Sequence, residues 1–203
     1  MKKLLLFQYS QLTEYIDAGG MIIVPLIAVS LVMWLLIINR AIFFRRLHRK
    51  NMPATVALEH IRENRFPDPE QYRGAIALLV TGFLEKRSNN TDIDRLILDE
   101  TVLVTNRSLD NYLAAIGALA TIAPLLGLLG TVTGMIATFD VLSFFGTGNA
   151  RGMAGGISEA LITTQTGLLV AIPGLYMKGF LERRSANLKR RIARVGYYLR
   201  RQL

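Results

Sequence analysis

Hydrophobic residues along this chain gather into long uninterrupted runs instead of recurring at amphipathic spacing. Three runs hold no charged residue and cover residues 18–39, 111–139 and 160–177. Each is as long as the stretch of about 17–25 residues that a helix needs to cross the hydrocarbon core of a bilayer. The pattern therefore predicts transmembrane helices at residues 18–39, 111–139 and 157–178, and it excludes an ordinary soluble domain.

The polar segment 40–110 between the first two spans is predicted to be a region of cytoplasmic helices. Prolines end helices, and they occur at Pro53 and in the sequence FPDP at residues 66–69. Thr91, followed by Asp94, resembles a capping box that opens a new helix. Neither glycine nor proline follows until the second span has begun, so we expect one helix to run from Thr91 into that span.

The fold class predicted from these patterns is an all-α membrane protein with three transmembrane helices. Its long helices extend into a cytoplasmic helical bundle, because the third span can continue through the basic residues 179–203 along an apolar stripe. No strand pattern and no internal repeat occur in the sequence. Residues 1–17 are predicted to form a short interfacial segment, and residues 140–156 a loop on the same side of the membrane.

Positive charge predicts the orientation of the three spans. The net charge is +9, and residues 178–203 hold nine Lys or Arg against one Glu. Cytoplasmic segments carry the excess of Lys and Arg, so the C-terminus is expected in the cytoplasm and the N-terminus on the outer side of the membrane. Beside a membrane, basic residues most often contact anionic lipid headgroups, and we do not expect a nucleic-acid partner. The predicted headgroup contacts are Arg45, Arg46, Arg49, Lys50, Arg183 and Arg184.

Small and hydroxyl residues line one side of the second and third spans. In membrane helices such stripes permit close packing, and we assign that role to six residues. They are Gly127, Gly130, Gly134, Pro124, Gly167 and Pro173. Thr131 and Thr164 each lie seven residues inside the outer end of their span, at a depth of about 10 Å. They are either structural or the lining of one polar path, whereas Thr163, Gln165 and Thr166 are expected to bond between helices.

Titratable residues are absent from the deep part of all three spans, where the sequence has no Asp, Glu, His, Lys or Arg. Glu159 lies at the outer mouth of the third span, where it is either an interfacial carboxylate stabilised by the helix dipole or part of the path. If the path moves protons, a partner must therefore supply the group that carries them inside the membrane.

Other classes of function find little support in the sequence. The chain has no cysteine, and its two histidines, His48 and His60, lie outside the spans. An intramembrane enzyme would have no histidine dyad or metal site there, and we expect no enzyme activity, cofactor or metal. A scaffold that packs around another membrane protein without conducting ions is a further alternative.

Two segments of the chain resemble the signature segments of the ExbB/TolQ/MotA proton-channel family. They are APLLGLLGTVTGMIATF at residues 123–139 and GISEALITTQTGLLVAIPG at residues 156–174. Three spans with a large cytoplasmic insertion are similar to the ExbB/TolQ branch, whereas MotA-type stators have four spans. The resemblance implies that Thr131, Thr164 and Glu159 belong to the proton pathway.

The resemblance also implies an assembly in the bacterial inner membrane. Such a subunit forms a homopentamer around a dimer of a single-span partner similar to ExbD or TolR, whose membrane aspartate carries the proton. Motion is passed to a protein similar to TonB or TolA. The motifs do not separate the ExbB from the TolQ branch, and we favour ExbB. The cluster TTQT at residues 163–166 departs from the family pattern and leaves open whether sodium replaces the proton.

Overall fold

The structure, a computed structural model, describes residue 15, residues 18–48 and residues 51–203. All regular secondary structure in these residues is helical, and the all-α fold class is confirmed. The predicted interfacial segment 1–17 lies outside the described residues, apart from Tyr15.

Six α-helices follow one another along the described part of the chain. Three helical stretches are long and apolar enough to cross a membrane, and they include the first, fifth and sixth helices. The helices are α1 (Ile23–His48), α2 (Ala54–Arg62), α3 (Ala75–Leu84), α4 (Thr91–Ser108), α5 (Leu113–Phe145) and α6 (Ala150–Gln202).

The chain divides into two compact units. The first contains the residues up to Leu36 together with those from Ala115 to Lys178, and the second contains Ile37–Ala114 and Gly179–Leu203. The three long helices α1, α5 and α6 contribute to both units.

The first unit packs α1 against the helix pair α5 and α6. Leu26 of α1, Ala123 of α5 and Ala171 of α6 are buried in one cluster. Further along, a Cβ atom placed on Gly174 would lie 2.5 Å from the sulfur of Met33. Because alanine and glycine occupy these positions on α5 and α6, the larger side chains of α1 find room between the helices.

The connection between α5 and α6 is much shorter than the loop expected at residues 140–156. Only residues 146–149 separate the two helices, and three of them form a 3₁₀ turn, Gly146–Gly148. The side chain of Asn149 accepts a hydrogen bond of 3.0 Å from the backbone N–H of Gly152, which satisfies an early donor of α6. The helices therefore continue past the uncharged runs, and the position of residues 140–156 outside the bilayer stays a prediction.

The second unit contains α2, α3 and α4, together with the parts of the long helices that the sequence predicts to lie in the cytoplasm. Helix α3 lies at the centre of the core of this unit. Four of its side chains are fully buried, namely Ile76, Leu79, Val80 and Phe83. The helix breaks predicted at Pro53 and at residues 66–69 are confirmed, since α2 begins directly after Pro53 and no helix crosses the second sequence.

The capping box predicted at the start of α4 was wrong. Asn90 caps this helix, and its side chain accepts from the N–H of Asp92 at 3.1 Å. Asp94 is buried and accepts instead from the backbone N–H and the hydroxyl of Ser88, at 2.8 and 3.1 Å. Arg87 lies 3.3 Å from the same carboxylate, so this acidic side chain stabilises the turn before the helix.

The single helix expected from Thr91 into the second span is interrupted. The helix α4 ends at Ser108, α5 begins at Leu113, and Tyr112 has a φ of 65°, a left-handed conformation that is unusual for a bulky residue. This break contains no glycine or proline, the residues on which the expectation of one helix was based, but it does contain Asp110 and Asn111, which are common in turns.

Side chains from distant parts of the second unit stabilise that break. Arg40 of α1 donates a hydrogen bond of 2.6 Å to the carbonyl of Ser108, one of the carbonyls that a helix end leaves without a partner. Asp110 accepts from the hydroxyl of Ser185 at 3.0 Å and forms an ion pair with Lys189. The break is therefore a tertiary feature.

Candidate functional site

The helices α5 and α6 approach each other so closely in the first unit that their backbones are in contact. A Cβ atom on Gly134 would lie 2.6 Å from the carbonyl oxygen of Gly156 and 2.8 Å from the backbone nitrogen of Ala160. Real Cβ atoms essentially never come within 3.0 Å of a heavy atom elsewhere in the structure, so only glycine fits at this position.

The close approach continues along the same face of α5. A Cβ on Gly127 would lie 3.0 Å from the carbonyl oxygen of Thr163, and one on Gly130 would overlap the Thr163 side chain. From the other helix, a Cβ on Gly167 would lie 2.7 Å from the carbonyl oxygen of Ala123. The four glycines that we selected as packing residues thus all lie at this contact.

Pro124 and Pro173 lie inside α5 and α6, and both helices continue through them. A proline inside a helix removes one backbone hydrogen bond and leaves a carbonyl without its usual donor. In membrane helices, neighbouring helices compensate for that loss. Beside Pro124, α6 lies close to α5, because a Cβ on Gly167 would lie 2.7 Å from the carbonyl oxygen of Ala123.

The two threonines predicted to line a polar path bind different partners. The hydroxyl of Thr164 donates a hydrogen bond of 3.2 Å across the helix pair to the carbonyl of Gly127. The hydroxyl of Thr131 donates within its own helix to the carbonyl of Leu128, at 2.6 Å. Both threonines are half-buried, and no hydrogen bond joins them directly within the described residues.

The neighbouring polar residues of α6 match the expected bonds between helices only in part. Thr163 is fully buried and donates to the carbonyls of Glu159 and Ala160 in its own helix, both at 3.0 Å, instead of bonding between helices. Thr166 does bond beyond its helix, because its hydroxyl lies 2.7 Å from the hydroxyl of Tyr15. Gln165 is exposed.

Glu159 is half-buried, and the turn before α1 lies against its carboxylate. A Cβ atom on Gly20 would overlap Oε1 of Glu159, and Gly20 has a φ of 61°, in the left-handed region. Sequence reasoning missed this neighbour. The pair of glycines at positions 19 and 20, directly before an apolar run, was the available signal.

The basic residues expected at lipid headgroups are mostly exposed where the structure describes them. Arg45, Arg46 and Arg183 are exposed, and the Arg184 guanidinium lies 4.9 Å from the centre of the Phe180 ring. Arg49 and Lys50 lie outside the described residues. Contact of these side chains with lipid stays a prediction.

Possible metal ligands do not gather anywhere in the described residues, where no group of three or more His, Cys, Asp or Glu side chains is placed to hold an ion. Within residues 111–139 and 160–177 the helix pair α5 and α6 offers hydroxyls and backbone carbonyls, and the carboxylates of Asp140 and Glu159 lie just beyond these stretches. These groups can hydrate or orient an ion, but inside the pair none of them takes up or releases a proton at ordinary pH.

The fold and this helix pair define a class of protein, an α-helical membrane protein whose spans pack through glycines around buried hydroxyls. Residues 54–194 match the model of the MotA/TolQ/ExbB proton channel family. The chain belongs to this family, in its ExbB/TolQ branch.

Proteins named ExbB or ExbB-like and a protein named TolQ are all similar to the chain. ExbB-like protein 3 of Synechocystis sp., a biopolymer transport protein by name, is 36% identical over 173 residues, covering 78% of this chain and 79% of its own. The Tol-Pal system protein TolQ of Haemophilus influenzae is 30% identical over 171 residues, covering 76% and 75%. The biopolymer transport protein ExbB of Salmonella typhimurium is 39% identical over 80 residues, covering 39% and 32%.

Proposed function

We propose that this chain is an inner-membrane channel and motor subunit that uses the proton-motive force together with a single-span partner similar to ExbD. Membership of a proton channel family supports a role in energising a membrane process. The finer proposal is that the complex drives a protein similar to TonB for nutrient import across the outer membrane.

One observation carries the proposal: the spans place hydroxyls at matching depth but contain no group that can carry a proton there. Thr131 and Thr164 lie on the two helices of the glycine-packed pair, in a chain whose deep spans lack any titratable side chain. A carboxylate that crosses or enters this region must come from another protein. Each charge that moves through a potential of about 100 mV releases roughly 2.3 kcal/mol, which can bias a rotation of that partner.

The hydrogen bonds of the two threonines are compatible with such a lining. Each hydroxyl donates its hydrogen to a backbone carbonyl, at Leu128 and at Gly127. A hydroxyl that donates still has two lone pairs, so it can accept from a water molecule or a protonated carboxyl. In this proposal the threonines hold water or the partner's acid, and Glu159 lies at the outer end of the path.

Replacement of the two hydroxyls tests the proposal. Thr131→Val and Thr164→Val should each abolish work driven by the proton-motive force while the complex still assembles. Thr133→Val is the matched control for Thr131, because Thr133 makes the same bond to a carbonyl three residues earlier, at 3.0 Å, and lies on the other side of the helix. Normal energised uptake in both pathway variants would remove these residues from the mechanism.

The orientation and the assembly belong to the same proposal. The N-terminus is placed in the periplasm and the C-terminus in the cytoplasm, with a pentamer of this chain around a dimer of the partner. The exposed Arg45, Arg46 and Arg183 support a basic side that meets anionic lipid headgroups. Labelling of single cysteines from each side of the membrane would test the orientation cleanly, since the natural chain has no cysteine.

A subunit of the Tol-Pal system is the first alternative, and the similarity to TolQ supports it, at 30% identity against 36% for the ExbB-like protein. A gene for a TonB-like protein beside this one would support nutrient import. A gene for a TolA-like protein there would support the envelope system.

A scaffold that does not conduct ions is the second alternative. It is favoured by the observation that both threonine hydroxyls already bond to backbone carbonyls. It predicts that valine is harmless at these positions, whereas Gly130→Leu or Gly134→Leu disrupts assembly. The channel predicts damage from both kinds of change, so the two sets of variants separate the alternatives.

A further inference from the structure

The segment before α1 has two points of contact with α6. The hydroxyl of Tyr15 lies 2.7 Å from that of Thr166, and the backbone of Gly20 lies against the carboxylate of Glu159. Glu159 and Thr166 are seven residues apart on one helix, so both contacts are on the same face. All four residues belong to the first unit.

The contact at Gly20 depends on a glycine for two separate reasons. The residue has a φ of 61°, which residues with a Cβ atom rarely adopt. In addition, the space that a Cβ would need is occupied by Oε1 of Glu159. The first reason concerns the turn alone. The second concerns the carboxylate, because the end of a flexible glutamate side chain is the atom group that would move if a methyl group were added.

The path of the chain on both sides of Gly20 fixes the turn in place. After the turn, Leu26 packs with Ala171 and Met33 lies against Gly174, so α1 follows α6 in the same direction. Before the turn, Tyr15 reaches Thr166. Contacts on both sides therefore limit how far Gly20 can move away from Glu159.

From these contacts we infer that Gly20, supported by Tyr15, is a positioning residue that holds the carboxylate of Glu159 in the place the ion path requires. The inference rests on the proposed function, since it takes Glu159 to belong to that path. It assigns the turn before the first span a role in conduction, in addition to its role in packing. Displacement of a reacting group by about 1 Å can reduce the rate of a step by about a hundredfold.

The central test compares Gly20→Ala with Gly146→Ala in the complete complex with its single-span partner. Gly146 has a φ of 62° and nothing within 4 Å of the added Cβ, so it carries the same backbone strain without a clash. Proton flux into liposomes, at equal amounts of assembled complex, should fall about tenfold or more in Gly20→Ala and stay near the natural level in Gly146→Ala. Equal loss in both variants would overturn the inference, because strain alone would then explain it.

A rescue experiment separates positioning from a merely structural role. Aspartate is one methylene shorter than glutamate, so Glu159→Asp makes room for the methyl group of Gly20→Ala. We expect the double variant to conduct at least about three times faster than Gly20→Ala alone, a non-additive effect typical of residues in contact. Additive losses would show that the two positions do not act on each other and would contradict the inference.

Two further experiments keep the test decisive if Gly20→Ala fails to assemble. The chain has no natural cysteine, so Gly20→Cys with Glu159→Cys should be joined within one chain by a short bifunctional thiol reagent, while Gly146→Cys with Glu159→Cys should not. Tyr15→Phe keeps the ring but removes the bond to Thr166, and it should reduce flux by a smaller factor than Gly20→Ala. Absence of the first cross-link, or full flux in Tyr15→Phe, would overturn the inference.

Glu159→Gln distinguishes failure of this inference from failure of the proposed function. Loss of flux in Glu159→Gln together with normal flux in Gly20→Ala would reject the positioning role and leave Glu159 in the path. Full flux in Glu159→Gln would remove Glu159 from the path and reject both the positioning role and this part of the proposed function. The cross-link between positions 20 and 159 could still form in that case, because it reports only their distance.

Discussion

Each of the two compact units of this chain is stabilised internally by a different kind of contact. In the first unit, glycines bring backbones together, as at Gly134, and hydroxyls donate to carbonyls, as at Thr164. In the second unit, charged side chains fix turns and helix ends, as Arg40 does at Ser108 and Asp94 does before α4.

The surroundings that we propose for the two units, lipid for the first and water for the second, account for this difference. Inside a bilayer the free-energy cost of a charged side chain is high. Apolar side chains gain little free energy when they exchange contact with lipid for contact with protein, so the close fit of small residues decides the packing. In a unit that meets water, a buried charge is tolerated when it gains partners, as Arg40 does through its bond to the Ser108 carbonyl, although its Nε has none in the described residues. We therefore expect the first unit to be sensitive to side-chain size and the second to loss of charge.

The largest effect is expected from a bulky residue at the helix contact. Gly134→Leu places a side chain where even a Cβ would lie 2.6 Å from the Gly156 carbonyl. Since a backbone cannot move aside as a flexible side chain can, the loss of stability should be about 3 kcal/mol or more. Unfolding in detergent micelles measures it.

Gly155→Leu is the control for that variant. Gly155 is on α6 beside Gly156, but a Cβ there meets nothing within 4 Å. A comparable loss of stability in both variants would contradict the claim that close backbone contact, and not glycine content, stabilises the first unit.

Removal of the buried guanidinium in the second unit should have the next largest effect. Arg40 is 3% exposed, donates to the Ser108 carbonyl and lies 4.3 Å from the centre of the Phe43 ring. Arg40→Leu should cost about 2 kcal/mol, because it leaves a helix-end carbonyl without a donor. Arg45→Leu, an exposed change on the same helix, should alter stability by less than about 0.5 kcal/mol. Equal values for the two would reject the role of Arg40 at the break.

A smaller difference is expected between the two pathway threonines. Thr164→Val removes a bond between helices and should cost about 1 kcal/mol. Thr131→Val removes a bond to a carbonyl of its own helix and should cost less than about 0.5 kcal/mol. Chemical unfolding of both variants beside the natural chain checks the order, and a greater loss in Thr131→Val would contradict it.

The smallest effect is expected from an exposed ion pair of the second unit. Lys86 and Glu100 are 2.8 Å apart, but both side chains are at least half exposed. Exposed pairs contribute little, so Lys86→Met should change stability by less than about 0.5 kcal/mol, and less still at high salt. A loss like that of Arg40→Leu would mean that charge in this unit acts irrespective of burial.

Features that depend on local sequence were predictable in this chain. Uncharged length gave the three spans, proline gave the break at Pro53, and spacing selected Gly127, Gly130, Gly134 and Gly167, which all lie at the α5 and α6 contact. In each case the physical cause is contained in residues close together in sequence.

Features that depend on distant residues were not predictable. Arg40 and Lys189, which are far away in the chain, bond to Ser108 and Asp110 at the break before α5, and the neighbour of Glu159 is Gly20. The partner of the Thr164 hydroxyl, the Gly127 carbonyl, is likewise set by how two helices pack. No pattern within either helix contains that information.

The most direct test of the proposed function is proton flux into liposomes that contain this chain alone or this chain with its single-span partner. Because the deep spans have no titratable side chain, we predict flux no greater than in empty liposomes for the chain alone, and clear flux with the partner. Flux through the chain alone at the rate of the complex would contradict the account, as would a fully assembled complex that conducts nothing.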